Sequence, residues 1–508
     1  MPTLREALTG LDALDDVAAT LHGRDDVVVT GASADSRTVR PGDIFVAVQG
    51  LSDDGHRHIS AALTQGARAI VSERPPAGES DVPWVTVSDA RAALGWLAAS
   101  FHGFPARQLG LIGVTGTDGK TTTAHAIAAI LEAAGWPAGL ISTVEVRLGD
   151  ELRPNDTNHT TPPANVLQGL LAEMVERRLR WVVLEVSSHA LAQRRVAGCF
   201  FDIAAFTNLT PEHLNYHGDF AHYRDAKAEL FAMLGREPKD GIPTFGVLNA
   251  DDPNHCALCA GCTVEQLTYA HDAEADYRLR SVEHTEGGTQ IDLDTPDGPV
   301  EVWTPLVGRY NAYNVAAASV VGLRLGIPPP AVARGLAEFR GVAGRLQQIE
   351  EGQPFQVVVD FAHTPHALRT VLTTLRAKTP GRLILVFGHP GGRDRQNRVD
   401  IARTAASLAD LLILTSDDPY DEDPRGILAQ LDGALREAGR QPGGDFLRID
   451  ERPAAIARAV ELARPGDTVL ISGRGHLAYT EIRGRKFPLS DAVLAREALQ
   501  RLSVVSSQ

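Results

Sequence analysis

The stretch "GVTGTDGKTTTAHAI" (residues 113–127) brings a glycine-rich turn, a lysine and hydroxyl side chains to the start of a helix. Such a turn can cradle phosphate. Backbone N–H groups and the positive end of the helix dipole converge on one anion, and a lysine neutralises β/γ-phosphate oxygens. A threonine hydroxyl then ligates Mg²⁺. Here the parts are Gly116, Thr117, Asp118, Gly119, Lys120, Thr121 and Thr122. The spacing G-x-x-x-x-G-K-[ST] is nearly met: position 114 is Val, and glycines stand at Gly113 and Gly116. A plain connecting turn is the alternative, and Lys-Thr at the helix start weighs against it. A nucleotide site also needs an acid for its metal. Glu185 closes the apolar run "WVVLEV", where a strand-terminal carboxylate can reach the Mg²⁺ shell. His213, in "TNLTPEHLNYHGDF", follows another apolar run and can face the same cleft. Taken singly, these two read as an edge carboxylate and a loop histidine.

The elements that position these groups follow from pattern. "LGLIGV" before the turn is a short apolar run, as in a strand buried on both faces. After Lys120, the residues Ala124, Ile127, Ala128 and Leu131 fall at helical spacing, and Gly135 and Pro137 stop the helix. "WVVLEV", "DIAAFTNL" and "FGVLNA" continue the strand texture, and so do "FQVVVDF", "LILVFG", "LLILTS" and "TVLISG" beyond "FRGVAGRLQQI". Apolar strands alternating with helices predict an α/β fold with parallel sheets, which bind ligands at the carboxyl ends of their strands. With 508 residues, one core is not enough. Three domains are expected, at 1–106, 107–341 and 342–508, with "FHGFPARQ" as the first linker.

Composition narrows the class. A net charge of −15 argues against a nucleic-acid surface, so an anionic ligand must be held by local arginines and backbone amides. No apolar run reaches the roughly 20 residues that span a bilayer. Acids in "MPTLREALTGLDALDD" argue against a signal peptide, and four cysteines are too few for a disulfide framework. A cytoplasmic monomer with no membrane insertion is expected. "HCALCAGC" places His255, Cys256, Cys259 and Cys262 at metal-like spacing. A short helix there would instead turn Cys256 and Cys259 toward the core, and no metal is expected.

Taken together, "GTDGKTTT", "EVSSHAL", "TNLTPEHLNYHGDFAHYRDAKAELF", "GRYNAYNVAAA", "GRLQQI", "VVVDFAHTPHAL" and "TSDDPYDEDP" occur in the order seen in the Mur ligases. The chain resembles that family of ATP-dependent, amide-forming enzymes of peptidoglycan synthesis over nearly its whole length. "ADSRTVRPGDIFVAVQGLSDDGHRHI" is similar to the UDP-binding block of the members that build the muramoyl tripeptide. The resemblance implies three α/β domains: a small UDP-binding domain, a central P-loop-type ATPase and a C-terminal Rossmann-like domain. It implies that ATP phosphorylates the D-Glu γ-carboxylate of UDP-N-acetylmuramoyl-L-Ala-D-Glu, and that an amino acid's amine displaces the phosphate.

The resemblance also assigns residues. Gly116 to Thr122 match the ATP loop, with Asp118 where Asn is usual. Asn208, Asn311 and Asn314 match positions near adenine, and Arg345 and Asp360 match contacts to phosphate and ribose. Ser36 matches a UDP contact. Thr160, Thr161, Ser187, Gln193 and Arg195 match those holding the muramoyl dipeptide. Lys227, in "YRDAKAELF", matches the carbamylated lysine. With Thr121, Glu185 and His213 it completes the expected ligands of two Mg²⁺ ions. On its own it reads as a solvated helix lysine.

For the amino acid, Arg393, Asp417, Asp418, Tyr420, Gly473 and Leu477 match the binding positions. Members that add meso-diaminopimelate read D-N-P-R and carry a Glu after the "GKGH"-like turn. Tyr420 and Leu477 stand at those two places here. The loss of both contacts, with Asp418, Asp421, Glu422 and Asp423 close in sequence, leads to L-lysine or L-ornithine as the expected substrate. Alternatives are a diaminopimelate-adding member, the next ligase of the same pathway, and a folylpolyglutamate synthase-like enzyme. The block before the loop argues against the last.

Overall fold

The computed structural model describes residues 1–11, 17–50, 53–285, 287–393 and 395–506. It is α/β throughout, with the chain divided between two compact units. The first comprises 1–283, 290–304 and 312–339, and the second comprises 284–289, 305–311 and 340–508.

Within the first unit, a five-stranded sheet orders Ala19–His22, Trp84–Val87, Ala69–Ser72, Ile44–Ala47 and Ala32–Ser33, all parallel except the first pair. The phosphate-loop strand Gly110–Thr115 lies in a second, eleven-stranded sheet between Trp181–Glu185 and Ile203–Phe206, parallel to both. All three strands are buried along their length, as two-faced burial requires. The register aligns Glu185 with Val114 and Phe206 with Thr115, so the three following loops emerge at one edge. The chain leaves the loop strand to one side and later returns on the other, and α/β sheets bind ligands at such a switch point.

In the second unit, the strands Gln356–Asp360, Thr468–Ser472, Leu383–Phe387, Leu411–Leu414 and Phe446–Arg448 run parallel, with Gln347–Gln348 antiparallel at one edge. Asp360 ends the first of these strands, and Thr415 to Tyr420 and Gly473 to Leu477 follow the carboxyl ends of two others. A separate hairpin pairs Tyr479–Ile482 with Arg485–Pro488. No helix among the described residues is long and apolar enough to cross a membrane.

Candidate active site

The loop 116–119 joins the buried strand Gly110–Thr115 to the helix Lys120–Ala133. Both of its glycines are required. Gly116 has φ 145°, and a Cβ there would lie 2.0 Å from Thr207 Oγ1. Gly119 has φ 85°, and its Cβ would lie 2.2 Å from Asn314 Oδ1. The loop is braced from behind. Thr117 N–H donates to Asn208 O (2.8 Å) and Asp118 N–H to Asn208 Oδ1 (3.0 Å). The Asp118 carbonyl accepts from Thr207 Oγ1 (2.6 Å) and Asn208 Nδ2 (3.0 Å). Asn208, expected near adenine, thus grips the loop backbone on both sides of Asp118. The first N–H groups of the helix have no intrahelical acceptor, as at any helix start, and point at an incoming anion. Lys120 Nζ lies folded over the loop, donating to Gly116 O (2.9 Å) and Thr117 O (2.6 Å).

Glu185 is fully buried. Its Oε2 accepts from Thr121 Oγ1 (3.1 Å) and Thr143 Oγ1 (3.0 Å), and its Oε1 accepts from Thr143 N–H (2.9 Å). A hydroxyl and a carboxylate side by side are hard oxygen donors that suit Mg²⁺, which takes few protein ligands and completes its shell with phosphates and water. No group of three His, Cys, Asp or Glu residues with metal-holding geometry occurs among the described residues.

The five residues matched to the muramoyl dipeptide join this network. Thr143 Oγ1, whose proton goes to Glu185, accepts from Thr160 Oγ1 (3.1 Å), and Thr161 Oγ1 donates to Glu185 O (2.8 Å). Ser187 N–H donates to Thr161 Oγ1 (3.0 Å), while Ser187 Oγ caps the helix Ser188–Ala192. Arg195 donates to Thr161 O (3.0 Å) and, through Nε and Nη2, to Gln193 Oε1 (3.0 and 2.7 Å). Ser36 lies partly exposed in the turn after Ala32–Ser33.

Lys227 is not a solvated lysine: it is 1% exposed, and its Nζ donates to Gly116 O at 2.6 Å. Burial, reinforced by nearby Lys120, holds its pKa well below the usual value. Tertiary packing overrides the exposure expected of its residue type. His213 adopts a left-handed conformation (φ 57°), and its ring stands edge-on to His189 at 4.6 Å. Desolvation, with His213 and His217 close by, pushes His189 down to about 3. His189, His217, Thr143 and Thr207 belong to the site, although single-residue reading passes over them. For His189, Thr207 and His217 the signal was position inside the quoted motifs, and Thr143 lies outside all of them.

In the second unit, Asp360 accepts Ala362 N–H and Leu346 N–H, each at 2.7 Å, and the Arg345 guanidinium lies 4.4 Å from the Phe361 ring centre. Asn311 Nδ2 donates to Val307 O (2.8 Å). Two of the four acids expected to attract an ammonium, Asp418 and Glu422, prove paired with arginines. Asp418 Oδ1 accepts from buried Arg474 Nη1, Thr480 Oγ1 (2.8 Å) and Glu481 N–H (3.1 Å). Glu422 pairs with buried Arg398 (2.8 Å), which pulls its pKa down to about 2. Asp423 caps the helix Pro424–Glu437. Sequence proximity overstated their field, because the arginines that cancel it lie far along the chain. Asp417 Oδ1 accepts Asp418 N–H, and no donor among the described residues reaches its buried Oδ2. Gly473 leaves space for that oxygen, which a Cβ would meet at 2.6 Å. Tyr420 is held at φ 49° by its N–H to Glu481 O (3.2 Å) and its carbonyl to Arg483 N–H (2.9 Å). Arg393 is exposed and lies close enough to lower the pKa of the Tyr420 phenol, which burial raises overall. Leu477 is half-buried, in the turn after Arg474.

The cysteine segment forms a short helix, His255–Leu258. Leu258 is fully buried and Cys259 is half-buried against the same core, as expected, whereas Cys256 is exposed. Cys256 Sγ lies 3.1 Å from His255 Nε2, and Cys262 Sγ accepts from Gln266 Nε2 (2.8 Å).

A braced phosphate loop beside a buried carboxylate, at the edge of a parallel sheet, is the apparatus of an enzyme that uses a nucleoside triphosphate. Residues 28–102 match the Mur ligase family catalytic domain, 114–322 the Mur ligase middle domain, and 344–475 the Mur ligase glutamate ligase domain. The UDP-N-acetylmuramoyl-L-alanyl-D-glutamate–2,6-diaminopimelate ligase of Bacillus licheniformis is 39% identical, over 94% of this chain and 96% of its own. A UDP-N-acetylmuramyl-tripeptide synthetase from a Roseiflexus species is 42% identical, over 93% and 95%. A solved UDP-N-acetylmuramoyl-L-alanyl-D-glutamate–2,6-diaminopimelate ligase superposes with a TM-score of 0.68 at 30% identity, covering 99% of each chain. The chain belongs to the Mur ligase family, whose members are ATP-dependent ligases that form amide bonds.

Proposed function

We propose that this enzyme works in the cytoplasm and joins L-lysine or L-ornithine to the D-Glu γ-carboxylate of UDP-N-acetylmuramoyl-L-Ala-D-Glu. The observation that carries the reading is the continuous hydrogen-bond path Thr121–Glu185–Thr143–Thr160, with Thr161 on the Glu185 carbonyl and Arg195 on the Thr161 carbonyl. It runs from the phosphate loop to the residues assigned to the dipeptide, the adjacency that transfer of a γ-phosphoryl group to the dipeptide carboxylate needs. A carboxylate oxygen attacks the γ-phosphorus and ADP leaves; the amine nitrogen then attacks the acyl carbon and phosphate leaves. Two anions meet in the first step, so Lys120 and the helix N-terminus offset their repulsion. Mg²⁺ held by Thr121 and Glu185 would add positive charge to the same phosphates. Lys227, buried and poor at holding a proton, suits carbamylation by CO₂, and with His213 it would serve a second Mg²⁺. Ser36 is assigned to the UDP end, Asn311 and Asn314 to adenine, and Arg345 and Asp360 to phosphate and ribose.

The choice of amino acid rests on Tyr420 and Leu477, which offer neither a guanidinium nor a carboxylate to a distal amino-acid head group. A second carboxylate would be desolvated there without a bidentate partner, a cost of several kcal/mol. Arg393 is assigned to the α-carboxylate of the reacting end. The names of the Bacillus relative and of the solved structure favour a second reading, meso-diaminopimelate. Phosphate release with UDP-muramoyl-dipeptide and each of the three amino acids decides between them. Lysine or ornithine should exceed diaminopimelate at least about tenfold in kcat/KM. A preference for diaminopimelate overturns the assignment, and release indifferent to the dipeptide overturns the ligase reading itself.

A further inference from the structure

Thr117, in the phosphate loop, has a hydroxyl with three partners. Its Oγ1 lies 3.1 Å from Thr210 O, 2.9 Å from Thr210 N and 3.0 Å from Tyr223 Oη. A hydroxyl carries one proton and two lone pairs. The single proton goes to the Thr210 carbonyl, because a carbonyl only accepts. One lone pair receives Thr210 N–H, so the other receives the proton of Tyr223. The directions of all three bonds follow, and the Thr117 hydroxyl is saturated. Tyr223 is fully buried on the helix Phe220–Ala232, one turn before Lys227. The two side chains share a helix face, and Lys227 Nζ stands 4.8 Å from the ring centre. The ring also borders His217 (5.4 Å) and His213 (6.4 Å).

We infer that Tyr223 is a positioning residue that ties the phosphate loop to the helix carrying Lys227 and to the turn carrying His213. Its hydroxyl fixes the loop through Thr117, and its ring forms the floor under Lys227 and His213. Lys227 closes the circuit by donating to Gly116 O, one residue from Thr117, at 2.6 Å. The inference rests on the reading of residues 116–122 as the ATP site.

The test titrates the full-length enzyme with a non-hydrolysable ATP analogue and measures steady-state constants alongside. Tyr223→Phe keeps the ring and removes the proton donor. It should weaken analogue binding and raise KM for ATP roughly three- to tenfold, the worth of one buried hydrogen bond. KM for the muramoyl substrate should stay unchanged. Thr117→Val should weaken ATP at least as much, and Thr117→Ser, which keeps the hydroxyl, should restore it. Tyr223→Phe added to Thr117→Val should cost little more than Thr117→Val alone. Unchanged ATP affinity in Tyr223→Phe, additive losses in the pair, or a fall in kcat alone with both KM values intact overturns the inference. Lys120→Ala separates the premise: if it binds the analogue as tightly as the parent, the ATP-site reading fails, whatever Tyr223→Phe does.

Discussion

The phosphate loop of the first unit and the loop after Thr415 in the second both place charged side chains at the carboxyl ends of parallel strands, yet they use them in opposite ways. Around the phosphate loop, charge faces neutral partners. Glu185 meets threonine hydroxyls and an amide, and Lys120 meets two carbonyls. An arriving phosphate or cation therefore finds Lys120 and Glu185 held by neutral hydrogen-bond partners. In the second loop, charge faces charge: Asp418 is bound by Arg474, and Glu422 by Arg398. The first arrangement attracts ions. The second satisfies Asp418 and Glu422 internally with arginines.

Three substitutions break or sharpen that contrast. Removing the cation from the second loop should cost most. Arg474→Leu removes the guanidinium bound to Asp417 and Asp418 and leaves them only the more distant Arg452, and breaking such a buried pair costs about 3–5 kcal/mol. Denaturant unfolding should show the loss, and unchanged stability would mean that the acids have other cations in reach. Lys120→Ala should do the reverse, because the side chain is half-exposed and its partners are carbonyls of its own loop. Folding stability should stay within about 0.5 kcal/mol, while kcat falls on the order of 10²–10³-fold. An active Lys120→Ala enzyme would end the contrast. The smallest effect expected is for Lys227→Ala, about 10–100-fold in kcat, with partial recovery on adding formate as a carboxylate in place of the carbamate. Recovery without formate, or none with it at high concentration, would argue against carbamylation.

Legibility in the sequence followed the range of the interactions. The strands Gly110–Thr115, Trp181–Glu185 and Ile203–Phe206 were readable because two-faced burial demands unbroken apolar runs. The loop was readable because a phosphate cradle is local, built from a turn and the helix start that follows it. Asp118 was the unexplained departure there, and its backbone, gripped by Asn208 and Thr207, is what the structure accounts for.

What the sequence alone determined was therefore the α/β architecture, the strand, glycine turn and helix over residues 110–133 and, through ordered motifs, the family. Tertiary structure decided the state of the charges. Lys227 reads as a surface lysine on its helix, and only packing beneath the loop, 111 residues away in sequence, buries it and lowers its pKa. Asp418 and its neighbours read as an acidic patch, and only folding pairs Asp418 with Arg474, 56 residues on, and Glu422 with Arg398. Charge acts through space with a strength set by distance and burial. A linear pattern records neither for residues that meet only after folding.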